Sequence, residues 1–213
     1  MIPLYFVLSA LHLVAVGADV TWLEWATKPV LMPLLAVWLL TRNGPRLMIA
    51  GLLFSALGDV LLQFDDLFIL GMAGFAAAHV CYVTFFVRSG ALAALKRSWW
   101  IPAAYVAVWI GLVVWLWPGL GALQIPVAAY SLLLFSTGAT SAGYSPRTGW
   151  GGLLFVLSDS LIALRLADEN TYTALPLGGV WIMVTYLAAQ YLLASGTVRA
   201  PVTAAASPRL LTS

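Results

Sequence analysis

Asp59 and Asp159 are the only acidic residues set inside long apolar stretches, and each closes a similar phrase, GLLFSALGD at 51–59 and GLLFVLSD at 152–159. Charge at mid-bilayer costs about 2.5–3.5 kcal/mol on insertion scales, so an intramembrane carboxyl points first to function. Two such groups in one low-dielectric pocket cannot easily both ionise: one keeps its proton while the other keeps its charge. The pair then offers a general acid beside a base or electrostatic stabiliser. It suits acid-catalysed cleavage through an oxocarbenium-like cation, as glycosidases perform with two carboxylates. It equally suits a proton relay in a transporter of lipids or small molecules.

Other polar residues fall at helical spacing around these two. Ser55, Asp59 and Gln63 recur every four residues and share one face, which Gly51 extends. Asp159 lies between Ser158 and Ser160, with Arg165 about two helical turns further on. His79 and Tyr82 form an i, i+3 pair, Tyr186 and Gln190 an i, i+4 pair, and with Tyr130 they are candidates to line or support a pocket. A lone histidine such as His79 is more often a satisfied core residue than a catalyst. Asp59, Asp159 and His79 are suitable metal-ligand types, but no HExxH or comparable spacing exists, so no metal site is expected. No lysine occurs within a span beyond Lys28, at a segment end, which gives no support to a retinal Schiff base. Neither a GxSxG elbow nor a Walker motif occurs.

The elements that must position these residues are membrane helices. The chain is 62% hydrophobic and 8% charged, against roughly 25% charged in an ordinary soluble domain. With about 20 apolar residues needed per span, hydropathy predicts eight segments: 2–18, 27–41, 45–64, 67–87, 99–117, 122–141, 150–166 and 175–195. Near-continuous apolar runs without strict alternation exclude a barrel, so the expected fold is an all-α bundle of eight transmembrane helices over residues 1–198. Lone Cys81 excludes an intrachain disulfide, and with a net charge of +2 and no basic tract nothing points to nucleic acid.

Charge supports the same segmentation. Arg42, Arg46, Arg88, Lys96, Arg97, Arg147, Arg199 and Arg209 fall on one side of the eight segments, which predicts that side, with both termini, to be cytoplasmic. Asp19, Glu24, Asp65, Asp66, Asp168 and Glu169 fall in loops opposite, where Lys28 and Arg165 are the only bases. That places both bases to meet an anionic headgroup, although interfacial snorkelling explains them as well. Tryptophans gather near the segment ends, as interfacial rings do. The start MIPLYF has no basic stretch and argues against a cleaved signal peptide. The Ala, Ser, Thr and Pro-rich stretch 199–213 is expected to be a disordered cytoplasmic tail. The third and seventh segments run in the same direction and share the GLLF phrase, the mark of a parallel four-plus-four repeat with its substrate site between the halves.

With KP at 28–29, FSALGD at 54–59, GMAGFAAAHVCY at 71–82, GLLFVLSD at 152–159, Arg165 and YLAAQYL at 186–192, the chain resembles the YhhN family of membrane proteins, which includes the lysoplasmalogenases. The likeness runs through nearly all eight segments. It implies hydrolysis of the vinyl ether bond of a lysoplasmalogen to a fatty aldehyde and glycerophosphoethanolamine or glycerophosphocholine, with Asp59 and Asp159 matching the family's proposed catalytic aspartates. No metal or organic cofactor is required by that chemistry. Lys28 and Arg165 would meet the phosphate, with Ser55, His79, Tyr82, Tyr130, Tyr186 and Gln190 around the substrate. A bacterial plasma membrane is the simplest expected location, and oligomeric state is open.

Overall fold

The computed structural model describes residues 1–198, whose regular secondary structure is all helical, with no strand among them. The stretch 199–213, with Arg199, Arg209 and the expected tail, lies outside the described residues. The α-helices are α1 (Ile2–Gly17), α2 (Thr21–Thr41), α3 (Arg46–Leu61), α4 (Phe68–Arg88), α5 (Ala91–Arg97), α6 (Trp100–Leu116), α7 (Gln124–Tyr144), α8 (Pro146–Ala167), α9 (Glu169–Thr173) and α10 (Gly178–Gly196). Apart from the short α5 and α9, each coincides with one of the expected apolar segments. Six, namely α2, α4, α6, α7, α8 and α10, are long and apolar enough to cross a bilayer, and α1 is a shorter apolar helix. The chain is a multi-pass membrane protein. Trp22, Trp99, Trp100 and Trp150 are exposed at or near helix ends, where interfacial rings belong.

Two helices start earlier than hydropathy predicts, for local reasons. The second begins at Thr21, not 27, so Glu24 lies in its first turn instead of a loop. Glu24 and Lys28 lower the local hydropathy, yet an acid in the first turn and a lysine four residues later both favour helix. The helix continues through Pro29 and Pro33, each of which removes one backbone donor. The other is α8, which begins at Pro146 because Ser145 caps it: the Ser145 hydroxyl accepts from Thr148 N–H at 3.2 Å, and the Thr148 hydroxyl donates to Ser141 O at 2.7 Å. At the far end of α8 the Asp168 carboxylate caps α9, accepting from Thr171 N–H at 3.0 Å and its hydroxyl at 2.6 Å, bonds that hold this carboxyl below its usual range.

With the start of α8 at Pro146, Asp159 is the fourteenth residue of its helix, as Asp59 is of α3. The two GLLF phrases are then out of step by one residue. Phe54 points outward, whereas Phe155 is fully buried.

Glycine sets how closely the helices around the aspartates approach. The most extensive contacts are α8 with α10 and α3 with α4, followed by α7 with α8 and α2 with α3. A Cβ added to Gly74 on α4 would lie 3.0 Å from Gly58 N on α3, beside Asp59. A Cβ on Gly151 would lie 2.9 Å from Leu193 N on α10, and one on Gly152 2.9 Å from the Gly138 Cα on α7. Backbone thus meets backbone on both sides of α8, as small residues permit in membrane helices. Gly111 on the lipid-facing α6 has open space around it. Gly74→Leu is therefore expected to lower the stability of the purified protein by about 1–3 kcal/mol, and Gly111→Leu to leave the melting temperature in detergent nearly unchanged. Equal melting temperatures for the two variants would contradict the close crossing at Gly58.

Candidate active site

The helices that carry the two aspartates, α3 and α8, are not principal packing partners, and a cleft opens between them. It encloses about 670 Å³ of empty space, its open mouth included, and both Asp59 and Asp159 line it. Lys28 from α2, Tyr130 from α7 and Tyr186 from α10 complete its polar lining along with Ser158. The remaining wall is apolar, with Phe68, Met72 and Phe75 on one side and Ile162, Leu166 and Met183 on the other. A long hydrocarbon chain fits such a wall better than any polar solute.

Each carboxyl has its own set of partners. Asp59 is 3% exposed, and its Oδ2 accepts from the Tyr186 hydroxyl at 2.6 Å, while Lys28 Nζ stands 3.9 Å from Oδ1. That is the only ion pair among the described residues. Asp159 Oδ2 accepts from the Tyr130 hydroxyl, and no cation pairs with it. Behind Tyr130 the side chain of His79 is completely buried, with Nε2 3.2 Å from the Tyr130 oxygen and Nδ1 3.0 Å from Thr137 Oγ1. The Tyr130 oxygen thus lies between Asp159 and His79 Nε2, while Thr137, whose hydroxyl also reaches the Leu133 carbonyl at 3.2 Å, lies at His79 Nδ1. A line of hydrogen-bonding groups runs Thr137, His79, Tyr130, Asp159.

The sequence-derived candidates divide into three groups. Asp59, Asp159, Lys28, Tyr130 and Tyr186 come together in the cleft. Ser55, Tyr82 and Gln190 do not line it: Tyr82 donates to Gln190 Oε1 at 2.8 Å, Gln190 Nε2 donates to Ser55 Oγ at 2.9 Å, and this buried triangle ties α3, α4 and α10 beneath Asp59. His79 also stays behind the wall, and Gln63 folds back toward the Asp59 carbonyl at 3.5 Å. Arg165 lines an adjoining recess with His12, Glu24 and Lys28. Sequence reasoning missed His12, although it is one of only two histidines and lies on an apolar helix as His79 does. It also missed Phe75 and Phe155, whose rings pack edge to face against Tyr186 at 5.9 and 5.6 Å and hold its hydroxyl toward Asp59. Aromatic residues in an apolar run carry no mark of such a role. Among the described residues, His, Cys, Asp and Glu do not gather in groups of three that could hold a metal ion.

Comparison with known proteins gives a consistent result. The chain is 33% identical to the lysoplasmalogenase TMEM86B of Homo sapiens over 86% of its own length and 79% of that protein's. It is 32% identical to the Rattus norvegicus protein of the same name, over 85% and 76% of the two chains. A lysoplasmalogenase of Mycobacterium bovis is 34% identical over 71% of this chain and 60% of its own. No solved structure is similar. The YhhN family profile matches residues 23–197, a stretch that carries both aspartates and each of their polar partners, and the chain belongs to that family.

Proposed function

We propose that this protein is a lysoplasmalogenase, hydrolysing the vinyl ether bond of a lysoplasmalogen within the membrane. The observation that carries the reading is that Asp59 and Asp159, the two carboxyls inside the apolar helices, line one cleft with an otherwise apolar wall. The named relatives supply the reaction. A proton relay for transport needs the same two carboxyls, but the relatives named above are lysoplasmalogenases.

The partners of each aspartate assign the roles. An ammonium beside a carboxylate favours the charged form, so Asp59, flanked by Lys28 and the Tyr186 hydroxyl, is the carboxylate. Asp159, which among the described residues has the neutral Tyr130 hydroxyl as its donor and no ion-pair partner, carries the proton, held on Oδ1 while Oδ2 accepts from Tyr130. Asp159 delivers this proton to the outer vinyl carbon, and the ether oxygen shares the positive charge left on the inner one. Asp59 stabilises that oxocarbenium ion and takes a proton from the water that adds to it. The hemiacetal then collapses to the aldehyde and the free glycerol hydroxyl. The aldehyde's hydrocarbon tail lies along Met72, Phe75 and Met183, and Lys28 meets the phosphate. The His79 and Tyr130 bonds position Asp159 and offer a path for its reprotonation.

The eight-span arrangement with cytoplasmic termini belongs to this reading, as does a plasma-membrane location in a bacterium. It is supported by pairwise packing: α1 with α2, α2 with α3 and α3 with α4 in the first half, α6 with α7, α7 with α8 and α8 with α10 in the second. The same order of contacts in both halves favours a parallel repeat. Asp59 and Asp159 then occupy equivalent places, each met by a side chain of the preceding helix, Lys28 in one half and Tyr130 in the other.

Asp159→Asn and Asp59→Asn are each expected to lower aldehyde release from lysoplasmalogen by 10²-fold or more, the usual worth of a positioned acid or base. The measurement is made on purified protein that elutes as the wild type does on size exclusion. Undiminished turnover in both variants would remove the carboxyls from the reaction. Tyr130→Phe removes one hydrogen bond to Asp159 and should reduce kcat roughly 10- to 100-fold, with a smaller change in KM. A change confined to KM would make Tyr130 a substrate contact instead.

A further inference from the structure

The cleft continues at its open end into a recess with a different chemistry. The two share Lys28, Leu62, Phe68, Ile162, Ile182 and Met183, and the recess adds His12, Val16, Glu24, Arg165 and Gly179. It therefore brings together two cations, one carboxylate and one imidazole at the ends of α1, α2, α8 and α10. Lys28 is one helical turn beyond Glu24 on α2, yet its ion pair is with Asp59, and among the described residues neither Glu24 nor Arg165 has an ion-pair partner. Arg165 instead stands 5.9 Å over the ring of Tyr172.

His12 sets the character of this recess. The Thr27 hydroxyl donates to the Leu23 carbonyl at 2.7 Å, so it can only accept from His12 Nδ1, which lies 2.8 Å away. The neutral ring then has its proton on Nδ1 and a bare lone pair on Nε2. That Nε2 is buried and has no hydrogen-bond partner, and His12 as a whole is 1% exposed. A buried acceptor without a donor is costly, and a ligand that brings an N–H removes the cost.

On the hydrolase reading above, we infer that the recess is a headgroup site that selects a primary ammonium over a quaternary one. Lys28 and Arg165 hold the phosphate. Glu24 and His12 Nε2 accept N–H bonds from the ethanolamine nitrogen two carbons further on. A choline headgroup carries the same charge but has no N–H, so it leaves His12 Nε2 unpaired. Sites built to hydrogen-bond a group reject its isosteres lacking that hydrogen more strongly than apolar pockets reject an extra methyl.

The test uses 1-O-alkyl lysophospholipids, which have no vinyl bond to cleave, with ethanolamine, N-methylethanolamine, N,N-dimethylethanolamine and choline headgroups. Their Kd values for the purified full chain in maltoside detergent are measured by calorimetry. Affinity is expected to fall along the series, with choline at least about tenfold weaker than ethanolamine, equal to about 1.4 kcal/mol. In Glu24→Gln and in His12→Phe the ethanolamine-to-choline ratio should move toward one. Glu24→Gln is nearly isosteric on a half-buried position and serves if the His12 variant does not fold. Equal affinities across the series in the wild type, or a ratio unchanged in Glu24→Gln, would overturn the headgroup site. Because binding of alkyl ethers needs no turnover, discrimination without aldehyde release from lysoplasmalogen would sink the hydrolase reading and leave the recess standing. Aldehyde release without discrimination would do the reverse.

Discussion

The structure depends on keeping two carboxyls within an apolar bundle, and the cost of doing so is met by bonds that cross between helices. Asp59 on α3 draws Lys28 from α2 and Tyr186 from α10, and Asp159 on α8 draws Tyr130 from α7. None of these partners comes from the aspartate's own helix. Satisfying the carboxyls therefore arranges three other helices, α2, α7 and α10, around the cleft. Behind them His79 and the triangle of Ser55, Tyr82 and Gln190 form a second layer in which every bonded group reaches a different helix. Buried polar networks of this kind specify one arrangement because a half-satisfied network is worse than an apolar one.

Glycine makes that arrangement reachable. Gly58 and Gly74 let α3 and α4 meet at the backbone directly beside Asp59, and Gly151 and Gly152 let α8 lie tight against α10 and α7 about two turns before Asp159. The cleft exists because α3 and α8 are each held closely by other neighbours and not by one another. Ser158, next to Asp159, donates to the Ile182 carbonyl at 3.0 Å and fixes the rotation of α8 about its own axis. A carboxyl on a helix so constrained has little freedom to turn away into the wall.

Much of this was legible in the residues. The apolar runs located the long helices, because lipid forces backbone groups to bond within a segment. The isolation of Asp59 and Asp159 in those runs located the cleft, since nothing but function or pairing retains a carboxyl there. What stayed hidden was what depends on rotation and register. The i, i+4 stripe of Ser55, Asp59 and Gln63 predicts a single polar wall, yet only Asp59 faces the cleft, because Tyr82 and Gln190 claim Ser55 for the layer beneath. The shared GLLF phrase aligned the two halves one residue out of step, whereas the helix starts and the aspartates agree with each other. His12 gave no signal at all, for its meaning lies in Thr27 having already committed its proton to Leu23.

On the proposed function, the difference between the partners of Asp59 and those of Asp159 is what would let one site supply both an acid and a base. Two carboxyls at equivalent places in a symmetric bundle would share one proton evenly, and neither would be reliably ready to give it to carbon. On that reading Lys28 breaks the balance: it stands beside Asp59 and lines both the cleft and the recess, so the same ammonium would hold Asp59 in its charged form and face the phosphate of an incoming lipid. The phosphate and the vinyl ether are joined by a three-carbon glycerol unit. Anchoring the phosphate at Lys28 would therefore keep the ether close to Asp59, in the cleft that Asp159 also lines. On the proposed function the proton would then have one place to reside and one direction to go, toward an alkene whose cation would form facing Asp59.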